Sequence, residues 1–488
     1  MDLKGAVEEL GTHYRAHYPL VWLVSHEEVR SVAAAGDLAA AAGVAMTEWP
    51  REGGPDGPME LLEAISQELG PSVFALKDFH QHLTSPAVVR RLRDLLPTMT
   101  QRKQMAVIIS PLLFIPIELE KEAAIVDLPL PDDHELLAIF NRVMVERAAL
   151  FPDDFIRMSV RAARGLTADE AYRAFCRALI RGGDFELDDI DTIVEEKRRA
   201  IRRYEVLEFV ENGTGVGAIG GLSELKKWLA LREPAFSEEA REFGLPAPKG
   251  LLLCGVQGCG KSLTARAVAD LWKLPLLRLE LGALFSSGIT PEEALRRSIK
   301  VSTALAPSVL WIDEIEKGFH GVSGGAGKDS PASRAFGMFI TWMQEKKEPV
   351  FVVATANEVA DLPPELIRKG RFDEIFFVDL PDEHEREEIF AIHLRARNRD
   401  PAGYRMPELA RLAQFFSGAE IEQVVIAGLY RAFGEKRELS QADLERSVVE
   451  TVPLYRTYEE KIKDLREWAK ERARKATSQS KVLDYFGG

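Results

Sequence analysis

The sequence predicts an α/β fold built twice: a P-loop three-layer αβα module with a helical lid, preceded by a degenerate α/β module of the same kind. Three observations predict it. The first is an apolar run, Leu251 to Cys254, followed by Gly255, four residues and Gly260-Lys261-Ser262, with helical spacing from Ser262 onward. The second is the alternation of short apolar runs with helical stretches over most of the chain, which argues for parallel sheets. The third is a motif series that occurs once in each half.

The glycine run is the centre of the reading. An apolar strand, a glycine loop and a helix in that order form a phosphate cradle. Glycines let backbone N–H groups curl toward phosphate oxygens where a Cβ would obstruct. The helix N-terminus adds free N–H groups and the positive end of its dipole. Gly255, Gly258, Cys259, Gly260, Lys261, Ser262 and Leu263 are therefore candidate nucleotide-binding residues. Lys261 is placed to neutralise the β- and γ-phosphates and Ser262 to hold Mg²⁺.

The totals set limits. With 488 residues, two or three domains are expected. The chain is 46% hydrophobic and 29% charged, as ordinary globular proteins are. A net charge of −14 argues against a protein that coats nucleic acid. Three cysteines (Cys176, Cys254, Cys259) are too few for a disulfide framework and suggest a reducing cytoplasm. The opening residues do not read as a signal peptide. No apolar run reaches membrane-spanning length, so no membrane partner is expected.

In chain order, residues 1–185 alternate strand and helix. Strands are expected at Leu20–Val24, Val73–Leu76, Ala106–Ile109 and Ala124–Val126. Residues 186–225 read as a linker: a charged helix from Asp188 to Arg203, then a glycine-rich run over 211–217. Residues 226–395 repeat the α/β alternation around the glycine loop and read as one large subdomain. Its strands are expected at Leu251–Cys254, Leu276–Leu279, Val309–Ile312, Val350–Ala354 and Ile375–Val378. Residues 396–452 read as a helical lid and 453–488 as a helix with a loose tail.

The repeat is explicit. Ala124-Ile125-Val126-Asp127-Leu128-Pro129, then Asp132-Asp133-His134-Glu135, matches Phe376-Phe377-Val378-Asp379-Leu380-Pro381, then Asp382-Glu383-His384-Glu385. Leu166-Thr167-Ala168-Asp169-Glu170 matches Phe416-Ser417-Gly418-Ala419-Glu420. The first copy has lost the chemistry. Ser25-His26-Glu27-Glu28 replaces the glycine loop, Lys77-Asp78 replaces the paired acids, and Glu120 stands where the second copy has Arg368.

Ligands of parallel sheets sit at the C-terminal ends of strands. Asp313 and Glu314 end one such strand. Asp313 would reach Mg²⁺ and Glu314 would polarise the attacking water. Asn357, at the end of the next strand, offers a neutral amide to orient that water. Arg368 and Arg371 lie on a later loop, better placed to reach a neighbouring subunit's γ-phosphate.

With these pieces in order, residues 214–452 resemble an AAA+ ATPase of the AAA subfamily, so the fold class becomes an AAA+ module behind a degenerate AAA-like one. Ile219-Gly220-Gly221-Leu222 resembles that family's adenine-packing motif, which adds Ile219 and Gly220 to the nucleotide site. Phe416-Ser417-Gly418-Ala419-Glu420 resembles its second-sensor helix. The whole chain is similar to a family first noted as a hypothetical chloroplast reading frame, the forty-sixth, which also occurs in bacteria. The resemblance implies ATP and Mg²⁺ as cofactors, ATP hydrolysis and a hexameric ring. It departs at the pore loop. Gly282 to Glu292 has no aromatic at its tip, which leaves Phe285 and Ile289 to grip a polypeptide client.

Over residues 461–488, eight Lys/Arg face four acids. The end resembles a peptide that docks on sliding clamps through Gln479, Val482, Tyr485 and Phe486. Two functions are consistent with this sequence: a remodelling ATPase acting on a protein client, and an ATP-gated scaffold with slow turnover.

Overall fold

The computed structural model of the chain describes residues 3–144, 152–182, 189–202, 206–210, 219–236, 238–286, 288–318 and 330–477. They form two compact units, residues 1–200 and 201–488.

The first unit opens with α1 (Leu3–Arg15), β1 (Leu20–Val24), α2 (Glu28–Ala42), β2 (Ala45–Trp49) and α3 (Pro58–Gln67). It continues through β3 (Ser72–Lys77), α4 (Pro86–Arg102), β4 (Gln104–Ser110) and β5 (Ala123–Asp127). All five strands are parallel, in the order β2-β3-β4-β1-β5. Such strands are covered on both faces, so they read as apolar runs. Leu20, Trp22 and Ile108 point to one buried layer with α3 and α4. Val21, Leu23 and Val107 point to the other, with α1 and α2. Four helices follow: α5 (Asp133–Met144), α6 (Asp153–Ala163), α7 (Ala168–Gly182) and α8 (Asp189–Arg202). They share one core around Phe140, Phe175 and Ile193.

The second unit begins with β6 (Leu207–Val210), α9 (Ser223–Ala230), α10 (Glu238–Glu242), β7 (Gly250–Gly255), α11 (Lys261–Trp272) and β8 (Leu276–Leu279). Then come α12 (Leu281–Ser286), α13 (Pro291–Ala304), β9 (Ser308–Ile312), α14 (Ile315–Gly318), α15 (Pro331–Glu345), β10 (Val350–Ala356), α16 (Pro364–Ile367) and β11 (Glu374–Val378). The lid is α17 (Glu383–Arg395), α18 (Met406–Leu412), α19 (Gly418–Gly434) and α20 (Gln441–Glu450). A strap of α21 (Leu454–Thr457), α22 (Glu459–Arg472) and β12 (Arg474–Lys475) follows. The sheet order is β12-β11-β7-β10-β9-β8-β6, antiparallel only at β6–β8. Its inner order, fifth-first-fourth-third-second, is that of the first unit's sheet.

Several expectations change. The sequence reading has four strands in the first unit; β2 is a fifth. It is an edge strand with only Trp49 fully buried, so its apolar signal is weak. Helix α8, read as linker, buries Ile193 and Ala200 in the first unit's helical core. Strand β6, also read as linker, pairs with β8 in the ATPase sheet. The lid core already includes Phe390 and Leu394 of α17, ahead of the expected start at residue 396. The expected loose tail instead contributes β12 to the sheet edge. The glycine-rich run over 211–217, read as the boundary, lies outside the described residues.

The repeat has a register. Leu119 N–H donates to Pro116 O at 2.9 Å, and Leu366 N–H to Pro363 O at 3.0 Å. Both leucines are buried. The shared turn therefore sets Glu120 against Ile367 and Lys121 against Arg368. The expectation that Glu120 replaces Arg368 is corrected: the first unit keeps a cation there.

Candidate functional site

Strand β7 delivers the chain to the glycine loop, and Gly260 caps α11 at φ 86°, a left-handed conformation that favours glycine. The loop walls a cleft of about 310 Å³. Lys261 is buried, and its ammonium donates to the carbonyls of Gly255 and Val256, each at 2.8 Å. An ammonium has three N–H groups, so one remains for a phosphate oxygen. Burial lowers the Lys261 pKa from its usual range, which an incoming anion would reverse.

The acids meet Ser262 from the neighbouring strand ends. Ser262 Oγ donates to Asp313 Oδ1 at 2.9 Å. Thr355 Oγ1 donates to the same oxygen at 2.6 Å and accepts the Glu314 N–H at 3.0 Å. Asn357 Nδ2 donates to Glu314 Oε1 at 2.8 Å, while Lys317 Nζ pairs with Glu314 Oε2 at 2.6 Å. Glu316 is buried, accepts the Asn357 N–H at 2.9 Å, and has its pKa raised by burial. It pins the strand end that carries Asn357.

The lid closes the far end. Ile219 and Gly220 face Ile389, Ile392 and His393 of α17 across the cleft. A Cβ on Gly220 would come within 2.6 Å of Ile389 Cγ1, so only glycine allows this approach. Glu385 accepts the Leu222 N–H at 3.0 Å and the Thr477 hydroxyl at 2.7 Å. Asp379 lines the cleft and takes a bidentate contact from Arg466 of α22, with distances of 2.9 and 3.0 Å.

Ile219, Gly220, Gly258, Cys259, Gly260, Lys261, Ser262, Leu263, Asp313, Glu314 and Asn357 line this one cleft. Gly255 lies beneath it, and Arg368 and Arg371 lie outside its lining. Sequence reasoning missed Thr355, Glu316, Lys317, Asp379 and Glu385. Thr355 carried a signal: a hydroxyl 1% exposed in an otherwise apolar strand needs a partner. Asp379 also carried one, as the acid both repeats share. Of the pore-loop candidates, Ile289 packs against the core and Phe285 is 42% exposed.

The matching place in the first unit is filled by protein. Arg30 pairs with Glu27, with Glu135 at 2.9 Å, and donates to Pro129 O at 2.9 Å. Glu27 also accepts the Ala168 N–H of α7 at 2.6 Å. Burial raises the Glu27 pKa, while Arg30 opposes the shift.

Sheet order, phosphate cradle and lid together define an AAA ATPase. The family model for "ATPase family associated with various cellular activities (AAA)" matches residues 251–380. Models for the N-terminal and second domains of SpoVK-like AAA ATPases match residues 6–128 and 134–204. A protein of Guillardia theta, "Uncharacterized AAA domain-containing protein ycf46", is 38% identical over 472 residues, 93% of each chain. Its namesake in Pyropia yezoensis is 40% identical over 86% of this chain and 85% of its own. The chain belongs to this ycf46 family of AAA proteins. A proteasome-activating nucleotidase of Saccharolobus islandicus is 28% identical over 57% of this chain and 72% of its own. No helix among the described residues is long and apolar enough to cross a membrane.

Proposed function

We propose that the chain hydrolyses ATP as a member of a ring of like subunits, hexameric by family analogy, and uses the turnover to remodel a protein client. One observation carries this reading: Ser262, Asp313, Glu314 and Asn357 converge beneath one glycine loop. The loop N–H groups and Lys261 hold the phosphates. Ser262 and Asp313 fit Mg²⁺. Among the described residues, no group of three or more His, Cys, Asp or Glu is arranged to hold a metal ion by itself. Phosphate oxygens and water would supply the other ligands, a division that suits this ion. When bound, Mg²⁺ supplies charge neutralisation across the β- and γ-phosphates.

Glu314 accepts a proton from the attacking water as the water oxygen bonds to the γ-phosphorus. The bond to the bridging oxygen breaks, and ADP and phosphate leave. Asn357 holds Glu314 in line. Arg368 and Arg371, which lie outside the lining of their own cleft, act on a neighbour's γ-phosphate. The first unit binds no nucleotide, because Arg30, Glu27 and Glu135 occupy the place of the phosphates. Three free cysteines fit a reducing compartment, the cytoplasm.

Steady-state turnover tests this. Glu314→Gln should lower kcat by about 10²–10⁴ with ATP binding retained. Equal, slow turnover of wild type and variant would sink the remodelling reading. It would favour the second reading, an ATP-gated scaffold. The double hold on Glu314 by Asn357 and Lys317, and the pore loop without an aromatic tip, support that alternative. Recruitment to a sliding clamp through Gln479, Val482, Tyr485 and Phe486 falls outside the described residues. A pull-down with purified clamp, with and without residues 479–488, tests it.

A further inference from the structure

The two fifth strands match residue for residue but are covered differently. In the second unit, Phe377 of β11 is 5% exposed, and it shares its core with Leu465 and Ala469 of α22. Beyond β11 lies β12, pairing Phe376 with Arg474 and Phe377 with Lys475. Arg466 binds Asp379 at the strand's end with a shortest contact of 2.9 Å. A helix with an apolar face thus caps this strand, and an extended segment seals its edge.

In the first unit, β5 is the last strand of its sheet among the described residues. Ile125, the counterpart of Phe377, is 43% exposed. Alternation puts it on the side of Ala123, which packs with Leu113 and Ile115 against the core shared with α3 and α4. The turn leading into β5 exposes Ile117, together with Glu118, Glu120 and Glu122 against a single Lys121. An unsealed parallel strand with an apolar residue on its open face is a template for strand addition. The acidic rim selects a basic partner.

We infer that the β5 edge and Ile125 bind a segment of another protein that resembles the α22–β12 strap. That segment is a helix with apolar residues spaced like Ile462, Leu465 and Ala469, a net positive charge, and a short extended run after it. The duplicated module carries the inference, because it displays the same strand with its cover in place. The strap's own arginine and lysine pairings at β12 show the charge that such a segment brings to the edge.

The probe is a synthetic peptide of residues 454–477, added to the full-length protein and followed by amide hydrogen exchange. The peptide is expected to slow exchange over residues 117–127 at least tenfold, more at low salt than at high salt. Ile125→Asp, at an exposed position and with unchanged melting, should remove that protection; Glu120→Lys should weaken it severalfold. Protection confined to residues 374–378 would overturn the inference, because the peptide would then only replace the strap at home. Slow exchange, before any peptide is added, of the β5 amides that point away from β1 would also overturn it, since this chain or a second copy would already cover the edge. So would the absence of any protection.

Discussion

The two units share a sheet order, a four-helix lid and two lid-capping motifs, yet only one carries the glycine loop and its cleft. In the second, Asp382 and Glu385 cap α17 reciprocally, and Ser417 and Glu420 cap α19. In the first, Asp132 with Glu135 and Thr167 with Glu170 repeat the same bonds. The capping boxes persist because they satisfy helix N–H groups whatever the site does. What changed is the stretch after the first strand. There, a glycine loop and Lys261 leave a cleft, whereas Glu27 and Arg30 fill it and fasten the sheet to the helices. The scaffold survives the loss of its ligand when an internal ion pair takes the ligand's charge.

This contrast can be broken in four ways. Lys261→Ala should reduce kcat/KM for ATP by about 10⁴, from lost phosphate binding and lost charge at the transition state. Arg30→Met should leave kcat/KM unchanged; any large loss would show that the first unit takes part in turnover. Arg371→Ala should lower kcat about 10³-fold with ATP binding retained. Mixing it with Glu314→Gln subunits should recover activity, since one site can then pair an intact Glu314 with a neighbour's intact Arg371. Failure of mixing to recover any activity would place Arg371 in its own subunit's site.

Arg30→Met tests the first unit from the other side. It strands a buried Glu27 and should cost that unit about 3 kcal/mol at neutral pH, read by its melting transition. The sign with pH follows from the Glu27 pKa, raised by burial in the folded state. A raised carboxyl pKa means that stability is lost as pH rises through it. The penalty should therefore shrink as the solution is acidified and Glu27 takes up a proton. A penalty that grows in acid would contradict the burial argument. The smallest effect is expected at Lys317→Ala, which frees one oxygen of Glu314 and should raise basal kcat about threefold. A fall in kcat would show that Lys317 helps Glu314 rather than restrains it.

The cradle was legible because its chemistry uses consecutive residues whose types and spacing the phosphate dictates. Asp313, Glu314 and Asn357 were legible because parallel strands end on the ligand side. Thr355 and Asp379 were harder to read: their partners, Asp313 and Arg466, lie across the sheet, 42 and 87 residues away in sequence. Glu316 and Lys317 follow the acid pair in a short charged run that has no spacing to single them out. Strands β2, β6 and β12 escaped for a common reason. Each is an edge, wet on one side or only two residues long, so alternation carries little information. Helix α8 looked like a charged linker because its buried stripe is narrow among many Lys, Arg and Glu.

Thr477 donates its hydroxyl to Glu385, the side chain that also accepts the Leu222 N–H next to the cleft-lining Ile219 and Gly220. A truncation that removes Thr477 takes one donor from an acid that lines the cleft and should loosen that wall.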